Sequence, residues 1–191
     1  MDPHSWKVTP SRWRKIVVFF IVLLAALVLT ALATLQPMDM QTAIALNNQV
    51  NQLVQSFKEN NMVLLGIFWN NLTITIISFL PFVGPLYSGY AFFGTGRAIA
   101  GEAIAHNLSP SSVLFQLLLR PYAWLEFAAY SIAITSSLWL AYGIANRTIG
   151  RELKNTAKLI IVSVILLFVA AAVETAYIRP TLTLRKRLPK H

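Results

Sequence analysis

The stretch Met62–Pro81, MVLLGIFWNNLTITIISFLP, is the clearest sign of the fold class. It carries no charged side chain, and as a helix it is long enough to cross the roughly 30 Å hydrocarbon core of a bilayer. Two adjacent amides, Asn70 and Asn71, lie near its middle. Because hydrocarbon offers no water to an amide, both side chains are predicted to face the interior of a protein bundle.

The composition of the whole chain indicates an integral membrane protein. Of the 191 residues, 56% are hydrophobic and only 12% are charged, whereas a globular domain has about 25% charged residues. The formal net charge of +9 predicts a bilayer with anionic headgroups as partner, and no nucleic acid, because no basic domain stands outside the apolar segments. The absence of cysteine excludes disulfides and cysteine nucleophiles.

The first third of the chain divides into three segments. Residues 1–15 contain four basic residues and two tryptophans, which is typical of the cytoplasmic side of a span. Residues 16–35 are uncharged and exceed the about 7–15 apolar residues of a signal peptide, so they predict an uncleaved transmembrane anchor. Residues 36–61 predict a polar, amphipathic helix outside the membrane, with Asp39 as its N-cap and Asn60 near its end.

This amphipathic helix has an apolar face and an amide-rich face. Apolar residues recur at spacings of three and four, at Ala43, Leu46, Val50, Leu53 and Phe57. Two interpretations remain open. The helix could lie on the outer leaflet or cap the bundle, or Leu46, Val50, Leu53 and Phe57 could form an oligomer or partner face. Two heptads are too short to hold a coiled coil alone, so neighbouring spans would supply most of such an association.

Residues 62–178 predict a core multispan domain, and residues 179–191 a basic tail. A glycine-rich stretch at 82–106 follows the first span of this domain. Its glycines, which are candidates for close helix packing, are Gly84, Gly89, Gly94, Gly96 and Gly101. Glycine beside Pro81 and Pro85 indicates a broken or re-entrant helix.

The rest of the core domain is predicted to hold one short helix and two spans. Ser109 caps the short helix, with Pro110 at its first position. Spans follow at 121–146 and 157–178, joined by a basic linker at 147–158. The prediction is an all-α membrane protein with four to five transmembrane helices, a broken or re-entrant glycine-rich segment and one amphipathic helix.

The basic residues distinguish two topologies. If residues 82–106 cross fully, there are five crossings, and a cytoplasmic N-terminus leaves the tail on the opposite side. If they are re-entrant, there are four crossings, and eleven basic residues lie on the cytoplasmic side against five outside. The positive-inside rule favours the second arrangement.

Seven polar side chains lie within the apolar part of the chain and need partners there. They are Asn70, Asn71, Arg97, Glu102, His106, Glu126 and Glu174. Arg97 and Glu102 are predicted to form an ion pair that fixes a helix break. Glu126 and Glu174 could bond the asparagines or cap broken helix ends, or they could form an ion or proton site. The first of these predicts one buried polar cluster of Asn70, Asn71, Glu126 and Glu174.

No catalytic motif is present. HExxH and GxSxG are absent, and the three histidines are scattered. Gly94-Thr95-Gly96 lacks the rest of a phosphate-binding loop. The chain is therefore predicted not to be an enzyme, with no metal and no cofactor.

Four short motifs carry a family resemblance. They are IFWNNLTITIISF, GPLYSGYAFFGTG, PYAWLEFAA and AAAVETAYI, in this order between residues 62 and 178. Together they resemble the stage II sporulation protein M family. Asn70 and Asn71 match the asparagine of the first family motif, and Glu174 matches the last, Ala-Ala-x-x-Glu.

The third motif departs from the family pattern. The family has His-Gly-x-x-Glu, and this chain keeps the glutamate as Glu126 but has Tyr122 and Ala123 in the first two places. The departure argues against any chemistry that depends on the histidine.

The resemblance implies a compact multispan domain in the cell membrane. The namesake in endospore-forming bacteria is similar to a scaffold that recruits cell-wall hydrolases, although the resemblance does not transfer sporulation. We therefore predict a multi-pass scaffold or assembly factor with a cytoplasmic N-terminus, which forms a homo-oligomer, preferably a dimer, and recruits protein partners. The alternative is a small transporter or channel-like protein for an ion, small solute or lipid, using buried Glu and Asn residues.

Overall fold

The computed structural model describes residues 11–60 and 62–187, with side chains described as far as Tyr177. All secondary structure in this part of the chain is α-helical, which confirms the predicted class. The helices are α1 (Arg12–Leu35), α2 (Met40–Glu59), α3 (Val63–Ser78), α4 (Val83–Ala105), α5 (Pro110–Leu118), α6 (Pro121–Ala145) and α7 (Ile149–Arg187). Three helical segments are long and apolar enough to cross a membrane: α1, α6 and the Ile149–Tyr177 part of α7.

The caps predicted for the amphipathic helix are present. The Asp39 carboxylate accepts hydrogen bonds from the Thr42 hydroxyl at 2.6 Å and from the Thr42 backbone N–H at 2.9 Å. These bonds stabilise the charged carboxylate and hold the pKa of Asp39 below its ordinary value. Asn60 stands at the C-cap. Local sequence thus determines where α2 begins and ends.

The glycine-rich stretch forms one continuous helix, α4, so the break predicted within it is absent. The chain is interrupted before this helix, at residues 79–82, where Phe82 has a φ of 65°. The Ser137 hydroxyl donates to the Leu80 carbonyl at 2.6 Å and so ties this turn to α6. Helices α3 and α4 therefore form a hairpin whose turn rests on α6.

Three of the five predicted packing glycines contact other parts of the chain closely. Gly84 lies against the Ser78 carbonyl, and a Cβ added at Gly96 would lie 2.6 Å from the Ala33 Cβ on α1. A Cβ at Gly101 would lie 3.2 Å from the Leu46 Cβ on α2. By contrast, Gly89 has nothing nearer than 4.0 Å and Gly94 has nothing within 4 Å. The close packing that glycine permits thus holds the hairpin turn, α1 and α2 against α4.

The two ends of the helix bundle are fixed by contacts across it. Lys15, near the start of α1, forms an ion pair with Glu152, near the start of α7. At the other end of α7, the Arg120 guanidinium lies 5.5 Å from the centre of the Tyr177 ring. We call the end with Lys15 and Glu152 the basic end, and the end of α6 and α7 that holds Glu126 and Glu174 the acidic end.

The geometry places the start of α1 and the start of α7 together at the basic end. The number of crossings and the sides of the two termini stay predictions. The predicted linker at 147–158 is wrong, because α7 already begins at Ile149. The basic residues of this segment therefore project from a helix, where their spacing determines which of them share a face.

Candidate functional site

The acidic end contains the predicted asparagine–glutamate contact. Asn71 of α3 is only 9% exposed, and its Nδ2 donates to Glu126 Oε1 of α6 at 2.6 Å. The Asn70 Nδ2 donates to Asn71 Oδ1 at 3.3 Å. Glu174 of α7 is half-buried, in the part of α7 that packs against the first turns of α6. The structure thus gathers side chains from α3, α6 and α7 around Glu126.

Asn70 does not face the interior, which corrects the prediction for the first of the two amides. Its side chain is exposed, beside Trp69, which is 59% exposed. Adjacent residues on a helix point about 100° apart, so only one amide of the pair can face α6. Asn71 takes that direction and Asn70 turns towards the surface of the protomer.

The predicted ion pair of Arg97 with Glu102 is also wrong. The Arg97 guanidinium instead donates to three backbone carbonyls at the end of α1, those of Ala33 at 3.3 Å, Gln36 at 2.8 Å and Pro37 at 3.3 Å. The last carbonyls of a helix have no intrahelical partner and carry partial negative charge, so a guanidinium stabilises them. Glu102 is left exposed on α4. Arg97 therefore ties α4 to α1 and does not fix a helix break.

His106 occupies the C-cap of α4 and is exposed. Its Nδ1 lies 2.8 Å from the Glu102 carbonyl oxygen, so this ring contacts the backbone of its own helix. Among the described residues, no group of three His, Asp or Glu side chains is placed to hold a metal ion.

A second polar region, which the sequence did not predict, lies at the basic end. A cavity of about 770 Å³ opens between the starts of α1 and α7 and the second half of α6. Four cations border it: Arg12, Lys15, Arg151 and Lys158. The Lys15 ammonium also lies 5.5 Å from the centre of the Trp139 ring.

Two polar atoms that belong to residues lining this cavity have no partner. The Thr135 hydroxyl and the Trp139 indole N–H are both buried, and neither makes a hydrogen bond within the described residues. The walls around them are apolar, formed by Ile16, Phe19 and Leu159. The cavity thus combines a cationic rim, free donors and a hydrophobic wall.

A sequence signal for this cavity existed on both helices. Arg12, Lys15 and Phe19 are spaced by three and four, and so are Arg151 and Lys158 around Asn155. Residues at such spacings share one face of a helix, so each set could be recognised once both segments were taken as helical. The interpretation of 147–158 as a linker hid the second set.

Comparison with protein families identifies the chain. The family model described as stage II sporulation protein M matches residues 16–178. The chain belongs to the stage II sporulation protein M family. The match includes α1 and α2, which precede the core domain that the sequence motifs outlined. Comparisons with curated proteins and with solved structures give no match.

In this member of the sporulation protein M family, the apolar face of α2 is only partly covered. Leu46 packs beside Gly101 of α4, and the Phe57 ring packs against Gly66 of α3. Between them, Val50 is 44% exposed and Leu53 is 47% exposed. The proposed oligomer or partner face is thus an internal contact at both ends and an open surface in the middle.

Proposed function

We propose that this member of the sporulation protein M family is an integral membrane scaffold or assembly factor that associates with itself and recruits partner proteins through α2. The observation that carries the proposal is the open middle of the apolar face of α2, at Val50 and Leu53. Leu46 and Phe57 hold the helix against α4 and α3, so this surface is presented in a fixed position. A rigid helix face with apolar residues at spacings of three and four is suited to docking a second helix.

The acidic end supports a structural role for the buried polar residues. The hydrogen bond from the Asn71 amide to the Glu126 carboxyl joins α3 to α6. The 770 Å³ cavity at the basic end does not include Asn70 or Glu126, and neither does a smaller polar groove of about 380 Å³ along α2. These contacts favour a stable frame over a solute pathway through the acidic end.

The proposed location is the cell membrane, with several spans and a cytoplasmic N-terminus. Arg12, Lys15, Arg151 and Lys158 gather at the basic end, and the positive-inside rule assigns such an end to the cytoplasm. Because α2 follows the opposite end of α1, it would then lie on the outer side of the membrane. Partners are therefore expected on that side.

Cysteine crosslinking tests self-association, because the chain contains no cysteine of its own. We expect Leu53→Cys to give a crosslinked dimer in membranes under mild oxidation. Asn51→Cys is the matched control, since Asn51 is also exposed and points about 160° away around α2. Equal yields from both variants, or a monomeric mass for the purified protein in lipid nanodiscs, would contradict the proposal.

A second candidate function is transport of an ion, small solute or lipid, and one observation favours it. Glu126 and Glu174 are only partly buried and lie near each other on two helices, as acids do at transporter midplane sites. Flux into proteoliposomes would test this candidate with Glu126→Gln and Glu174→Gln. Flux above protein-free vesicles that falls in both variants supports transport, and flux that is unchanged in both counts against it.

A further inference from the structure

We propose that the cavity at the basic end is a binding site for one anionic phospholipid, with the headgroup phosphate among the cations and an acyl chain along the apolar wall. The inference concerns a different part of the molecule from the scaffold proposal and does not depend on it. It rests on the positive charge of the rim, on two buried donors without partners, and on an apolar wall that continues deeper along α1 than the cations.

The rim has more positive than negative charge. The one ion pair among the described residues joins Glu152 to Lys15. Arg12, Arg151 and Lys158 have no carboxylate partner in that part of the chain. Arginine and lysine beside a bilayer attract anionic lipid, and a guanidinium can bond two phosphate oxygens at once.

The unpartnered donors define the chemistry of the ligand more closely. An indole N–H can only donate, so Trp139 requires an acceptor. Thr135 is 7% exposed and its hydroxyl has no partner either. A phosphodiester supplies acceptor oxygens and negative charge together. A ligand with this group would compensate the charge of the rim, and it would accept from Thr135 and Trp139 once a side-chain rotation turns their buried donors towards the cavity.

The apolar wall favours a lipid over a soluble phosphate compound. Phe19 lies seven residues beyond Arg12 on α1, which places it about 10 Å deeper along the helix. Ile16 and Leu159 continue the same wall, and Ile16 is 47% exposed. A volume of about 770 Å³ falls within the roughly 300–1,000 Å³ typical of small-molecule sites. The headgroup would thus contact the cations at the rim, and the acyl chain would contact the apolar residues deeper along the helix.

Native mass spectrometry of the full chain in detergent tests the proposal, with dioleoylphosphatidylglycerol as the probe. We expect wild type to retain one such lipid in preference to dioleoylphosphatidylcholine. Arg151→Gln combined with Lys158→Gln should weaken retention about tenfold, because two headgroup contacts are lost. Arg14→Gln combined with Lys154→Gln removes the same charge at the same end but outside the cavity, and should change retention less than about twofold.

Trp139→Phe distinguishes binding inside the cavity from attraction to surface charge. The variant keeps an aromatic ring and the full rim but loses the indole N–H, so we expect about threefold weaker retention of phosphatidylglycerol. A melting temperature close to wild type in lipid-free detergent shows that the variant is folded.

Three results would overturn the proposal. Equal losses in the two double variants would show attraction to surface charge only. Equal retention of phosphatidylcholine would show that the site does not select for a headgroup with net negative charge. Displacement of the lipid by glycerol 3-phosphate at equal concentration would show a site for a soluble phosphate compound, in which the apolar wall has no role.

Discussion

The acidic and basic ends of the bundle treat polar side chains in opposite ways. At the acidic end, the Asn71 amide donates to Glu126, and the Arg97 guanidinium on the neighbouring α4 donates to the carbonyls that end α1. At the basic end, one carboxylate faces four cations, and two buried donors have no partner.

The difference indicates which end is complete without a ligand. A buried donor without a partner costs about 1–3 kcal/mol of folding free energy, and more in hydrocarbon. At the acidic end, Asn71 and Glu126 are each other's partners, so these two residues serve the fold. The buried hydroxyls of Thr75 on α3 and Ser131 on α6 also lack a partner within the described part of the chain, but neither lines the cavity at the basic end or the groove along α2. At the basic end the cost remains until something supplies acceptors, so that end is suited to binding.

The largest expected effect is at Asn71. Asn71→Leu should lower the free energy of unfolding by about 3 kcal/mol, because it leaves the Glu126 carboxyl without its hydrogen-bond donor inside the bundle. Reversible unfolding of the full chain in mixed micelles, followed by circular dichroism, measures this change.

Asn70→Leu is the matched control for that variant, since the same change is made one residue away on the exposed face. It should shift stability by less than about 0.5 kcal/mol, because the exposed Asn70 amide makes only the long 3.3 Å hydrogen bond to Asn71 and none to another helix among the described residues. Equal losses in the two variants would show that the amides act through general helix packing, and the comparison between the two ends would lose its basis.

Local features of the fold followed from the sequence. Asp39 predicted the start of α2, because a side-chain cap requires only residues within one turn. The contact of Asn71 with Glu126 could be anticipated because a buried amide in an apolar span needs a polar partner on another span. Such predictions rest on rules that hold regardless of how the helices are arranged.

Features that depend on helix rotation and direction did not follow. Periodicity alone could not determine which of Asn70 and Asn71 faces inwards. Arg97 found carbonyls on α1, a partner that no sequence motif marks. The cavity required knowing that the starts of α1 and α7 lie at one end, which charge counting does not show.

The next largest effect concerns Arg97, whose charge should serve the fold alone. Arg97→Gln should lower the free energy of unfolding by about 1–2 kcal/mol, because several charge-assisted bonds to the end of α1 are lost. Retention of phosphatidylglycerol should stay within about twofold of wild type, since the residue lies outside the basic end. Arg97→Lys keeps the charge but not the forked geometry, so its free energy of unfolding should lie between those of wild type and Arg97→Gln. If Arg97→Gln lost most of its lipid retention but kept full stability, Arg97 would serve lipid binding and not the fold.

At the basic end, Glu152→Gln should produce opposite changes in stability and lipid binding. Loss of the ion pair with Lys15 should lower the free energy of unfolding by about 1 kcal/mol. It also frees the Lys15 ammonium for the ligand, so retention of phosphatidylglycerol should rise about threefold. Native mass spectrometry and unfolding of one preparation measure both. Glu59→Gln removes an exposed carboxylate on α2 and should change neither, whereas weaker lipid retention in Glu152→Gln would show that this carboxylate holds the cavity in shape.

The smallest expected effect is a pH dependence confined to α2. The hydrogen bonds from Thr42 lower the pKa of Asp39 in the folded chain, so their contribution is complete above the ordinary value of 3.8 and is lost as the pH falls towards the lowered one. Amide hydrogen exchange in the first turns of α2, corrected for the intrinsic rate at each pH, should therefore accelerate below about pH 4. Asp39→Ser keeps a capping oxygen that does not titrate, so its corrected exchange should be flat over the same range. An identical pH profile in wild type and Asp39→Ser would show that the acid sensitivity of α2 does not come from the Asp39 cap.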